Sequence, residues 1–229
     1  MLPGIAPSLG FGGTAASVPA VVTYIGVKAG ASSTNNNVNI GTAATDRYVV
    51  IILATAKGPP PAPNHSSVTV AGVSCTRVVQ STTTGLNGFR TSIWISSSPI
   101  TSGTTATVSL SYGTVTGASF MVYTLNGINS PTAYATANNT GGPGTVSSTI
   151  DYPLNGVLIA ANEAEVAYTS TPTWTGATTD VSSSVSAYFY TSASKSSLAA
   201  LSAQTISCAP SGTSTTNGST LVAATWSPA

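Results

Sequence analysis

At 229 residues, 41% of them hydrophobic, the chain can form one large all-β domain or two small ones, and it has too many apolar side chains for wholesale disorder. Only 5% of residues are charged, against roughly 25% in ordinary soluble domains, and the formal net charge is +1. The basic residues (Lys28, Arg47, Lys57, Arg77, Arg90, Lys195) are scattered, which excludes a nucleic-acid footprint, and no apolar run approaches the roughly 18–20 residues of a membrane helix.

Ser and Thr stand where charged residues usually do. Their short side chains keep a surface polar, yet they can be buried in a protein contact without stripping ions of water. Low net charge also favours association over repulsion. The composition reads as that of a chain built for assembly or for an exposed, external life.

In chain order, residues 1–20 (MLPGIAPSLGFGGTAASVPA) come first. They lack the positive n-region of a secretion signal, and prolines and glycines break any continuous apolar h-region. They are expected to form an extended arm that begins at the initiator methionine. Strand signals then recur at 20–27, 47–56, 66–72, 73–80, 90–96, 104–112 and 118–125, and again at 145–150, 156–162, 184–192, 204–209 and 219–227. Helix signals are nearly absent, with one weak turn expected over 193–204.

The segment KGPPPAPNH, residues 57–65, lies between two of these strands. Four prolines stiffen an extended connection, and the strands on either side look like parts of one core, so the segment reads as a rigid loop projecting from one end of a single fold. Lys57 and His65 are then exposed contact residues. His65 is the only histidine, and no nucleophile-elbow motif occurs.

Two kinds of strand are expected. In VSLSY, Val108, Leu110 and Tyr112 alternate with Ser109 and Ser111, which is the pattern of a strand with one wet face. In contrast, 48–54, 119–125 and 157–161 are apolar on both faces. These three are expected to share one sheet, with the outer face covered by the arm, a loop or a neighbouring subunit. The whole pattern predicts an all-β chain: a single antiparallel β-sandwich, jelly-roll-like, over 21–229, carrying the arm of 1–20.

Several residues are candidates for chemistry or contact. Cys75 and Cys208 are either buried free thiols or one bridge. Glu163 and Glu165 are two apart, so a strand would point both to one face, as a shared metal or an acid–base pair requires. Their structural alternative is a polar strand end, with Glu163 paired to Arg47 or Arg90. Asp46 and Arg47 are expected to fix a loop corner. In SVSAYFYTS, Val185, Ala187 and Phe189 share one face, which leaves Tyr188 and Tyr190 for an exposed or interface patch. With Trp94, Trp174 and Trp226 they could stack on a sugar, although core packing or subunit contact is also open to them.

The runs RYVVIILATA, SVTVAGVSCTRVVQ, IWISSSPITSGTTATVSLSY and FMVYTLNG together resemble a strand-and-turn pattern of tailed-bacteriophage structural proteins. In that pattern a hydrophobic strand precedes a Gly-Gly hairpin, where this chain has Ala71–Gly72. The hairpin SVTVAGVSC alone is also similar to that of immunoglobulin-like TIG domains, which are smaller than this chain. The phage resemblance implies a non-enzymatic virion protein on the particle exterior, made in the host cytoplasm without a signal peptide. Its implied partners are other virion proteins and copies of itself, and a host-surface glycan in the alternative reading. It implies no cofactor, metal, nucleic acid or membrane.

Overall fold

The computed structural model describes residues 18–82, 88–141, 144–165, 170–185, 188–211 and 218–229. The first half supplies β1 (Val21–Ala29), β2 (Thr34–Asn39), β3 (Tyr48–Ala56), β4 (His65–Val70), β5 (Val73–Gln80), β6 (Phe89–Ser96), β7 (Thr105–Tyr112) and β8 (Gly117–Asn126). The second half supplies β9 (Ala135–Gly141), β10 (Val146–Tyr152), β11 (Val157–Glu165), β12 (Ser170–Thr175), β13 (Thr178–Val185), β14 (Tyr188–Lys195), β15 (Leu201–Ser211) and β16 (Ser219–Trp226). All pairings are antiparallel. The all-β, antiparallel sandwich character expected from the sequence is what the structure has.

The first eight strands form one sheet in the order β1-β8-β3-β6-β5-β4-β7-β2. It curls until its inner face packs on itself. Val49, Ile51, Leu53, Trp94, Phe120 and Val122 from one wall meet Val68, Val70, Val108 and Leu110 from the other. The remaining strands form a five-stranded sheet (β13-β14-β11-β16-β9) covered by a three-stranded one (β10-β15-β12). Ile150, Ile206 and Cys208 of the cover pack on Leu158, Ala160, Leu221 and Ala223.

A third core joins the halves. Val50, Ile52, Met121 and Tyr123 on the outer face of the curled sheet pack on Ile159, Val222, Ala224 and Trp226 of the five-stranded sheet. The stack therefore has four layers, and the strands of the two inner layers lie between packed faces. This explains the two-faced apolar strands. β3 is buried from Val49 to Ala56, and each fully buried Val, Ile or Leu contributes roughly 1.5–3 kcal/mol.

Three expectations need correction here. The apolar strands do not share a sheet: β3 and β8 are neighbours in the curled sheet, whereas β11 lies in the five-stranded sheet facing it. Nor do their outer faces need the arm or a neighbouring subunit, because the chain's own layers cover them. The weak helical turn over 193–204 is also absent: β14 runs to Lys195 and β15 starts at Leu201. Residues 1–17 of the expected arm lie outside the described residues.

The alternating strand behaves as its pattern demands. Val108 and Leu110 are buried while Ser111 is exposed, and Tyr112 donates its hydroxyl to Ala31 O at 3.0 Å. Loop corners are fixed by hydrogen bonds. Arg47, fully buried, donates to the carbonyls of Ile100, Gly41 and Ser102 at 2.9, 2.7 and 2.9 Å. Asp46 accepts from Asn126 Nδ2 and Gly127 N at 3.0 and 2.7 Å, which holds its carboxyl below the usual range.

Candidate functional site

The structure gathers two small polar centres inside otherwise apolar layers. The first surrounds Glu163, on β11 where the two halves meet. Alternation along β11 turns Glu163 toward the curled sheet, together with Ile159 and Ala161. Its Oε2 accepts from Thr91 Oγ1 at 3.2 Å, and Thr91 Oγ1 lies 2.8 Å from Thr220 Oγ1 on β16. The backbone amides of Thr55 and Arg90 also bond the carboxyl. These bonds lower its pKa, but burial outweighs them and holds the acid well above its ordinary value.

Tyr188 and Tyr190 come to the same place. They share a face of β14, as the alternation predicted, but that face is turned inward. Tyr190 is 2% exposed within the core joining the halves. Tyr188 is half-buried, meets Phe89 edge-to-face at 5.6 Å and places its hydroxyl 3.2 Å from Thr116 Oγ1. Phe189, on the opposite face, is buried as expected. The slot lined by Glu163, Tyr188, Tyr190, Ala54, Ala56 and Ser119 holds about 10 Å³. That is room for at most about one water. An exposed patch at Tyr188 and Tyr190 is therefore corrected: one is in the core and the other is half covered.

The second centre surrounds His65, the first residue of β4. Its burial is complete, contrary to the exposed contact role read from the proline-rich loop. The loop itself carries exposed Gly58, Pro59, Pro60, Pro61 and Asn64, whereas His65 turns into the curled sheet. Its Nε2 lies 2.8 Å from Thr55 Oγ1 and its Nδ1 lies 2.6 Å from Ser92 Oγ, which also accepts from Trp94 Nε1 at 2.7 Å. Burial first, then the charges of Arg90 and Arg77, push the imidazole down to about 3. Arg77 also donates to His65 O at 2.9 Å.

A hydroxyl 2.6 Å from an imidazole is the geometry of an activated nucleophile. Here Ser92 and His65 are both without exposed surface, and a base of pKa about 3 takes up no proton near neutrality. The pair fits an internal polar tie between strands.

The other candidates are dispersed. Lys57 is half-buried at the end of β3, where its backbone N–H donates to Gly88 O at 2.7 Å. Gly88 has no room for a side chain, since a Cβ would sit 2.0 Å from Lys57 O. Cys75 borders the core of the curled sheet and Cys208 lies in the core beneath the three-stranded sheet; both are free thiols, pushed up to about 12 by burial. The side chain of Glu165 lies outside the described residues. Among the described residues no group of three or more His, Cys, Asp and Glu could hold a metal.

All three tryptophans are buried, each with its indole N–H satisfied: Trp94 by Ser92, Trp174 by Thr191 Oγ1 at 3.1 Å and Trp226 by Pro131 O at 3.1 Å. Sequence reasoning missed the roles of Thr55, Thr91, Ser92 and Thr220. Their signal is a hydroxyl inside a strand with no wet face, such as FRTSIWIS, where all eight residues are buried. In a chain so rich in Ser and Thr that signal does not stand out.

Fold and interior define an antiparallel, four-layered β-sandwich protein whose buried polar groups tie strands together. No family model, no curated protein and no solved structure matches the chain.

Proposed function

We propose that the protein is a non-enzymatic structural subunit on the exterior of a tailed-phage particle, serving as a capsid decoration, collar or tail accessory protein. It acts through contacts with other virion proteins and with copies of itself. It is made in the host cytoplasm and uses no cofactor. The reading rests on the phage-like order of strands and turns and on one observation, the nearly uncharged surface.

Few residues are charged at all, and Arg47, Arg90 and Glu163 are withdrawn into the interior. The outward strand faces present mostly hydroxyls, Ser74 and Thr76 on β5, Thr105, Thr107 and Ser111 on β7, and Ser147 and Thr149 on β10, with Arg77 on β5 and Asp151 on β10 as charged exceptions. Burying such faces against a neighbour desolvates hydroxyls, which find new hydrogen-bond partners, rather than ions, whose desolvation costs several kcal/mol each. Binding of a host glycan has no such support, since Tyr190 and the three tryptophans that would carry it are taken up by the core and Tyr188 is half covered.

The test is direct. Particles purified from infected host cells should contain the protein, on their outer surface by antibody labelling. Deleting residues 1–17 should abolish its incorporation while leaving the thermal midpoint of the purified protein unchanged. Absence from washed particles overturns the proposal.

A further inference from the structure

The curled sheet stops short of closing. β1 and β2 are the two ends of its strand order, and each pairs on one side only, β1 with β8 and β2 with β7. Among the described residues no strand pairs with their other edges. Two hollows mark the gap between them. One lies between Gly26–Lys28 of β1 and Asn36–Asn39 of β2, with Val122 of the barrel interior as its floor. The other lies between Thr23–Ile25 and Asn39–Thr42. Ile25, where a bulge interrupts the β1 ladder, separates them by leaning on Gly41, whose absent Cβ would fall 2.8 Å from Ile25 Cδ1. Val21 and Val27 on the same strand are 49% and 38% exposed.

We propose that this seam receives residues 1–17 of a second copy as an added strand. An open sheet edge is a template for another chain: main-chain hydrogen bonds give affinity, and alternate side chains fill pockets. The candidate strand is in the sequence itself. Residues 1–17 carry no charged side chain, and in SLGFGG Leu9 and Phe11 alternate with Gly10 and Gly12. That spacing directs two apolar side chains to one face, toward the gap, and leaves the other face bare. Lys28 is the one charged residue bordering the two hollows, so a neutral segment desolvates almost no charge there.

The proposed self-associating role selects a second copy over the same one. Val18–Ala20 approach β1 without a turn, and Pro19 O and Ala20 Cα pass beside Gly127 while Ala20 N donates to Asn155 O at 2.9 Å. Residues 1–17 therefore precede a start of β1 that is tied to Gly127 and Asn155. Fully extended they reach roughly 55 Å, ample for a neighbour. The inference rests on the proposed self-associating role and names the contact through which copies join.

Sedimentation of the full chain, of full-length Phe11→Asp and Val27→Asp, and of a chain lacking residues 1–17 tests it, together with titration of a labelled synthetic peptide of residues 1–17. The full chain should self-associate at concentrations on the order of 100 µM or below, and all three variants should be monomeric with unchanged circular dichroism. The peptide should bind the truncated chain, and Val27→Asp in that chain should weaken binding at least about tenfold. A monomeric full chain, or no peptide binding, overturns the inference. So does association that survives truncation, which would mean that exposed β1 edges pair directly. Protein found in particles with no peptide binding sinks this inference alone; peptide binding with no protein in particles sinks the virion role alone.

Discussion

Thr91 Oγ1 and Glu163 Oε2 lie 3.2 Å apart across the junction of the two inner layers, where the Glu163 carboxyl is buried between the halves. Because burial raises the folded-state pKa of Glu163, its contribution to stability is fully present below the unfolded value of 4.5 and is lost as pH rises toward the folded value. Glu163→Gln keeps the shape and removes the ionisable group. Relative to wild type, the variant should gain thermal midpoint as pH rises above 4.5, with a constant difference below pH 4.5. Glu163→Ala should lose about 1–3 kcal/mol below pH 4.5, because the Thr91 and Thr220 hydroxyls lose a buried partner, and the deficit should shrink as pH rises above 4.5. Thermal denaturation across that pH range checks both.

Arg47 predicts a larger loss. Its guanidinium satisfies three loop carbonyls and meets no carboxylate in doing so. Arg47→Met removes the donors while keeping much of the bulk, leaving the carbonyls of Gly41, Ile100 and Ser102 poorly satisfied. The expected cost is about 3 kcal/mol or more. Arg47→Lys should fall between, since an ammonium cannot reproduce the planar fork that reaches three acceptors. Urea titration gives the magnitude. Hydrogen exchange should show faster exchange at Ile100, whose N–H donates to Arg47 O at 2.8 Å.

The hairpin between β4 and β5 offers a gain. Val70 pairs with Val73, so the turn has two residues, and Ala71 and Gly72 take φ of 52° and 79°. Two positive φ values make the primed turn that suits strand twist, and Asn-Gly is its favoured sequence. Alanine in this region costs roughly 1–2 kcal/mol, which asparagine partly avoids. Ala71→Asn should therefore stabilise by about 0.5–1 kcal/mol, seen as a higher urea midpoint with unchanged slope.

Much of this architecture was legible because strands announce themselves. RYVVIILATA, VSLSY and GVLIAAN gave β3, β7 and β11 within a residue or two at their starts. β2 (TNNNVN) and β9 (ATANNTG) were missed because their asparagines carry turn chemistry, and only pairing with β7 and β16 holds them extended. The expected strand over 184–192 proved to be the end of β13 and most of β14. Layer assignment was not legible either. Apolarity on both faces says that a strand is covered twice, but not by which sheet. The site residues were misread for a related reason: His65 follows a loop of prolines, and only the curl of the sheet turns it inward.

His65 provides the last prediction, and it opposes the first. Its folded-state pKa of about 3 lies below the unfolded 6.5, so its contribution is fully present above pH 6.5 and is lost as pH falls toward 3. Each unmatched proton changes stability by about 1.4 kcal/mol per pH unit. Below pH 6.5 the unfolded chain carries a His65 proton that the native state lacks, and above pH 4.5 the native state holds a Glu163 proton more tightly than the unfolded chain does. The two slopes have opposite sign and offset each other. Wild type should thus vary less with pH just above 4.5 than a protein lacking either group. Asp46 and Asp180 titrate alike in all variants and drop out of differences between them. Glu163→Gln should uncover a decline as pH falls from 6.5, whereas His65→Gln should uncover a decline as pH rises from 4.5. Thermal midpoints of the three proteins at half-unit pH steps would show it, and parallel curves would mean that neither group is held in the protonation state its burial requires.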